Sequence, residues 1–167
     1  DILSFAKLEA GQVSVTSEPV QLRPVLDELS ALVRPEAESR RLALDIAMDG
    51  EETFARADRA RLMQILLNLT SNALKFTAEG GVRVAVARSG DQVELWVSDT
   101  GCGIASDRLE SIFAPFVQAR GAADEQKGGV GLGLAISREL ARLMGGELTV
   151  ESEVGRGSTF RLRLARA

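Results

Sequence analysis

Apolar and polar positions along this chain change period several times, and each change marks an element. In Asp1–Gly11 the apolar residues Ile2, Phe5 and Leu8 recur at helical spacing, and Gly11 supplies a C-terminal stop. The run reads as the last turns of a helix from a longer parent, or as an N-terminal helix packed on the domain it opens. Val13 to Leu22 is expected to be extended, and Pro24 heads a helix to about Ser39 because its locked φ suits a first turn. Leu42–Ala47 alternates loosely as a strand, Phe54–Ala57 makes a short one, and Asp58 caps a long helix to about Phe76. Gly80-Gly81 turns into Val82–Arg88, and Ser89-Gly90-Asp91 joins that run to Val93–Ser98, which predicts a hairpin. Gly101 to Gly131 holds little periodicity beyond one short helical turn, and so long a connection in a compact domain is usually functional or mobile. A helix from Leu132 to about Met144 stops at Gly145-Gly146, and strands Glu147–Ser152 and Thr159–Leu164 flank the turn Gly155-Arg156-Gly157. The expected fold is an α/β two-layer sandwich, one mixed and largely antiparallel sheet covered on one face by helices.

Composition narrows the function. With 167 residues, 45% of them hydrophobic, the chain makes one domain with an ordinary core. A net charge of −4 leaves no basic footprint for nucleic acid. No run approaches the ~20 apolar residues of a membrane span, and no signal peptide opens the sequence. A single cysteine excludes an internal disulfide framework and fits a reducing compartment. Histidine is absent, which removes histidine metal sites, Ser–His and Cys–His nucleophile pairs, and any phosphohistidine on this chain.

Three segments carry candidate chemistry. Gly128–Gly133 places four glycines in six residues directly before the helix that begins near Leu132. Free backbone at the positive end of a helix suits an anion such as phosphate, and a flexible hinge is the alternative. In the long helix, Arg61, Asn68, Asn72 and Lys75 fall in one stripe, while Leu62, Ile65, Leu66, Leu69 and Ala73 line the core side. Two stacked amides and an ammonium can offer oxygen ligands to a hard cation such as Mg²⁺ and a contact to phosphate. Alternatively the amides satisfy nearby backbone groups. Val97–Ile104 ends a strand with Asp99 and the glycines 101 and 103. That carboxylate can accept hydrogen bonds from an exocyclic amino group beside glycines that let a flat ring approach, or it belongs to an ordinary Asp-Thr-Gly turn. Cys102, between those glycines, reads as a small packing residue.

Together these segments, in this order, resemble the ATP-binding catalytic domain of bacterial sensor histidine kinases, in the superfamily shared with gyrase, Hsp90 and MutL. Asn68-Leu69-x-x-Asn72-Ala73-x-Lys75-Phe76-Thr77 is similar to that family's N box, and Asp99–Ile104 to its first glycine box. Phe113-Ala114-Pro115-Phe116 is similar to the F box, Gly129–Leu134 to the second glycine box, and Gly155–Phe160 to the last glycine motif. The resemblance spans Leu22 to Leu164 and implies the Bergerat-type ATP-binding fold. Residues 1–11 resemble the end of the dimerisation helix that precedes such a domain, which leaves 12–167 as the catalytic unit.

The resemblance implies roles. Asn72 would coordinate Mg²⁺ between the phosphates of ATP, supported by Asn68. Lys75 would contact phosphate and Phe76 would lie against adenine. Asp99 would accept the adenine amino group, with Gly101 and Gly103 shaping that wall, and Ile104 and Thr159 would be further cofactor-binding residues. Residues from about Ser106 to Lys127 would form an ATP lid anchored by Phe113 and Phe116. Gly121–Lys127, with almost nothing to bury, is expected to be mobile without nucleotide. Gly129, Gly131 and Gly133, with Val130, Leu132 and Leu134 between and after them, would cradle the phosphates. Val130 stands where many members carry threonine, so one hydroxyl contact is missing. ATP-hydrolysing relatives typically carry a glutamate base at the position of Asn68, and an amide cannot take a proton from water near neutral pH. The implied function is therefore to hold Mg-ATP for phosphoryl transfer to a histidine outside this chain; the alternatives are a serine kinase of the same superfamily and a non-catalytic nucleotide sensor. The implied partners are the dimerisation and histidine phosphotransfer domain of a homodimeric parent and a response regulator receiver domain, with no nucleic acid. The isolated chain is expected to be monomeric and cytoplasmic, its parent either free or anchored to the inner membrane.

Overall fold

A computed structural model describes residues 1–48, 52–118 and 129–167. Helix α1 is Ile2–Glu9, followed by strand β1 (Glu18–Gln21), helix α2 (Leu22–Ser39), and strands β2 (Ala43–Met48) and β3 (Phe54–Ala57). Helix α3 (Arg59–Phe76) leads to the hairpin of β4 (Gly81–Ser89) and β5 (Gln92–Asp99). Two 3-10 turns, Ser106–Arg108 and Ser111–Phe113, precede helix α4 (Gly133–Leu143) and the strands β6 (Glu147–Glu153) and β7 (Gly157–Ala165).

Among the described residues, five strands form one sheet in the order β2-β4-β5-β7-β6. The β2–β4 pair is parallel and the other three pairings are antiparallel. The expected mixed, largely antiparallel sheet is therefore present. A second, two-stranded sheet pairs β1 with β3, Val20 opposite Ala55. Phe54–Ala57 thus leaves the main sheet, and of the run Val13–Leu22 only Glu18–Gln21 is strand.

Alternation along the strands sorts their side chains. Val82, Val84 and Val86 of β4, Val93, Leu95 and Val97 of β5, and Phe160, Leu162 and Leu164 of β7 are buried. They meet Leu62, Ile65, Leu66, Leu69 and Leu74 of α3 and the buried residues of α2 and α4 in one core. The opposite face is polar and half-exposed: Glu94 pairs with Arg163 at 3.3 Å, and Arg161 lies 6.0 Å from the Trp96 ring centre. Helices thus cover a single face, which leaves the ends of β5 and α3 together at one edge of the core.

Asp58 starts α3 as its sequence position requires, accepting hydrogen bonds from Ala60 N at 3.1 Å and Arg61 N at 3.2 Å. It also accepts from Thr16 N at 3.1 Å, which ties the segment before β1 to this cap. Partial burial raises its pKa, but the backbone donors of Thr16, Arg61 and Ala60 and the charge of Arg61 outweigh it and hold the carboxyl below its ordinary value. Asp58→Ala should cost about 0.5–2 kcal/mol in a denaturant melt. Because the folded pKa is depressed, the carboxylate's contribution is complete above the unfolded value of about 3.9 and is lost as pH falls through the folded one. The gap between wild type and Asp58→Ala should therefore narrow below about pH 4, measured by melts from neutral to acidic pH.

Candidate functional site

The apolar stripe of α3 turns its polar stripe to the edge of the core. Leu62, Ile65, Leu66, Leu69 and Ala73 are buried, whereas Asn68, Asn72 and Lys75 are half-buried. These three, with Phe76, form one wall of a cavity of about 260 Å³. Asn68 donates from Nδ2 to Ser137 Oγ of α4 at 2.9 Å. Arg61, the fourth member of the stripe, is not brought there: it lines a separate crevice with Lys7 and Gln64 and donates to Gln64 Oε1 at 3.2 Å.

The facing wall is residues 129–134. Helix α4 begins at Gly133 with Leu132 as N-cap and no side-chain cap, so its first N–H groups and its positive end face the cavity. The Lys75 ammonium reaches the same loop: a methyl group added at Gly129 would sit 3.9 Å from Nζ. Two hydrogen bonds tie the loop to the segment after the second 3-10 turn, Phe116 N to Gly131 O at 2.9 Å and Gln118 Nε2 to Gly129 O at 2.7 Å. Gly131 has φ +76°, and a Cβ there would press on the Phe116 carbonyl carbon at 2.9 Å. A glycine is therefore required at 131 for both conformation and space.

Asp99 is buried at the end of β5, and its Oδ1 accepts from Gly101 N at 2.8 Å. Gly101 in turn lies against the carbonyl of Phe76. Asp99, Gly101, Gly103 and Ile104 do not line the cavity; all four are buried, with Gly103 against the carbonyl of Glu153 and Ile104 N donating to Ser152 Oγ at 2.8 Å. Phe113 is buried, its ring 6.4 Å from that of Phe160 and 4.6 Å from the Arg138 guanidinium. Phe116 differs: it is 58% exposed, and its partner is Phe5 of α1, edge to face at 6.1 Å. Of the two F-box rings, the core holds only Phe113.

Thr159 and Cys102 both lie apart from the cavity lining. Thr159 hydrogen-bonds Ser98 across the outer face of the sheet at 3.0 Å, away from the helices. Its neighbour Ser158 is buried on the inner face, opposite Asp99 in the strand register, and shares a 2.8 Å hydrogen bond with Ser152. Counting back by twos from the inward Phe160 would have found it. Cys102 is exposed rather than packed. Lys127 and the expected mobile stretch Gly121–Lys127 lie outside the described residues. Sequence reasoning also missed Asp1, Ile112, Val117 and Gln118, which line the cavity. No local pattern marks them, because α1 and the 3-10 turn reach it only through tertiary packing.

Comparison with known proteins agrees with this geometry. Residues 57–167 match the family described as histidine kinase-, DNA gyrase B- and HSP90-like ATPases. The sensor protein TorS of Escherichia coli is 42% identical over 98% of the chain, and the sensor protein GacS of Pseudomonas syringae is 40% identical over 98%. The chain spans only 18% and 19% of those two relatives. Full-length ShkA, solved in complex with AMPPNP, superposes with a TM-score of 0.88 at 36% identity, covering 99% of this chain and 34% of that one. The catalytic domain of the histidine kinase ThkA shares the fold, with a TM-score of 0.77 at 23% identity over 90% of this chain and 96% of that one. The chain belongs to the histidine kinase-, DNA gyrase B- and HSP90-like ATPase family, as the ATP-binding catalytic domain of a two-component sensor histidine kinase. No helix among the described residues is long and apolar enough to cross a membrane.

Proposed function

We propose that this domain holds Mg-ATP with its phosphates between α3 and the start of α4 and presents the γ-phosphate to a histidine on another domain of its parent. One observation carries the reading: the uncapped N-terminus of α4 faces two amides and an ammonium across a single cavity. Adenine would lie toward Phe76 and be read by Asp99, while Lys75 and the glycines 129, 131 and 133 would hold phosphate. The donor set suits magnesium that arrives with the nucleotide, because amide carbonyl oxygens are hard ligands that can complete a shell made mostly of phosphate oxygens and water. The Asn72 side chain makes no hydrogen bond to the described residues, so its carbonyl oxygen can serve a cation that takes most of its ligands from phosphates and water. When bound, that ion would neutralise charge on the phosphates. Asn68, being an amide, offers no base for water, which favours transfer over hydrolysis.

The reading of residues 1–11 as the end of a dimerisation helix rests on their resemblance to that element; α1 lies against α4 and Phe5 against Phe116, contacts that a helix packed on the domain it opens would make as well. A homodimeric parent with a histidine-bearing dimerisation domain, passing phosphate to a receiver domain, follows from this reading. The chain has no histidine, so the 167 residues alone should bind Mg-ATP without labelling themselves. Adding the parent's dimerisation helices should give acid-labile, base-stable labelling from radioactive ATP, because transfer needs an acceptor held in line. Acid-stable labelling of the chain alone would point to the serine-kinase branch, and binding with no transfer to a supplied acceptor would point to a nucleotide sensor.

A further inference from the structure

The amide of Asn68 and that of Asn72 stand one helical turn apart on α3, yet the protein treats them differently. The Asn72 side chain has no hydrogen bond among the described residues, while Asn68 is tied to Ser137 by its NH2 group at 2.9 Å. Ser137 is 1% exposed, on the face of α4 that packs against α3. One turn earlier in α4, Gly133 leaves room for the other end of the same amide: a Cβ there would collide with Asn68 Oδ1. Gly133 and Asn68 both line the cavity.

A primary amide has nearly the same shape either way round, so its hydrogen-bond partners decide which end points where. The two ends are opposite in chemistry. A carbonyl oxygen at the start of α4 faces the positive end of the helix and can accept from water held by a cation. An NH2 group in that place would turn a donor toward both the helix N–H groups and the cation. We infer that Ser137 is a positioning residue for the nucleotide site: a hydroxyl can meet either end of an amide, so the first N–H groups of α4 select the carbonyl oxygen, and Ser137, accepting from Nδ2, anchors the side chain so that this oxygen stays at the phosphate end of the cavity. This rests on the nucleotide reading above and adds a residue that touches no nucleotide itself.

The test is calorimetric titration of the 167-residue chain with Mg-ATP and, separately, with adenosine. Ser137→Ala should weaken Mg-ATP about threefold to tenfold, the range one neutral hydrogen bond supports, and leave adenosine unchanged. Ser137→Cys, similar in shape but a poor acceptor, should behave alike and serves if the alanine variant folds badly. In an Asn68→Ala background the Ser137→Ala change should have no further effect, since no amide remains to hold. Unchanged Mg-ATP affinity in Ser137→Ala, equal losses for both ligands, or the same loss repeated without Asn68 would each overturn the assignment. Asn72→Ala separates the two levels. If it weakens Mg-ATP while Ser137→Ala does not, only the role of Ser137 falls; if wild type binds no Mg-ATP, the nucleotide reading falls with it.

Discussion

Asp99→Asn should weaken ADP binding by about tenfold to a hundredfold, the cost of losing a hydrogen bond to a charged group. The geometry explains why so small a change should act so strongly. One carboxylate oxygen of Asp99 already accepts from Gly101 N at 2.8 Å in a buried setting. An asparagine keeps that bond by placing its own carbonyl oxygen there, which leaves its NH2 group where the second acceptor stood. A donor would then confront the amino group of adenine. The bond to Gly101 N is preserved, so the turn it closes is kept while affinity falls. Titration calorimetry on a variant shown to melt like wild type measures the loss. Undiminished affinity would return Asp99 to the role of a turn residue whose work is to hold Gly101.

Removal of the Asn72 side chain should produce a loss of a different kind. Asn72→Ala deletes the amide that lines the cavity without a hydrogen bond to the described residues, so folding forfeits little. Mg-ATP affinity should drop by about tenfold to a hundredfold, the scale seen when a residue supporting a bound metal is removed. Adenosine, which carries no phosphate and recruits no magnesium, should bind as before. Titration of both ligands, with and without magnesium, tests this. Parallel losses for the two would mean that Asn72 matters only for packing.

Much of this architecture was legible in the sequence because it follows from local periodicity. The 3.6-residue recurrence of Leu62, Ile65, Leu66, Leu69 and Ala73 gave both the helix and the face it buries, and that face dictates where Asn68, Asn72 and Lys75 must point. The cap at Asp58, the β4–β5 hairpin and the start of α4 within a glycine run were equally local, each settled by side chains a few positions apart. The order of Asn-x-x-x-Asn, Asp-x-Gly-x-Gly and Gly-x-Gly-x-Gly along the chain was enough to suggest their chemistry.

The sequence by itself therefore determined the elements, the buried faces of the helices and the residue types available to the site. Tertiary structure decided which of them meet. Strand β2 pairs in parallel with β4 across an intervening helix, and β3 leaves the main sheet to pair with β1, choices no local pattern encodes because pairing depends on distant partners. The period of two makes a single-residue offset reverse a side chain, so Ser158 faces inward beside Asp99 while Thr159 faces out. Phe113 and Phe116 look alike in sequence, but the core has room for the first, and α1 supplies a partner to the second. The amide of Asn68 is anchored by Ser137 and faces the start of α4, both far along the chain, since a side chain with two opposite ends is directed only by what packs against it.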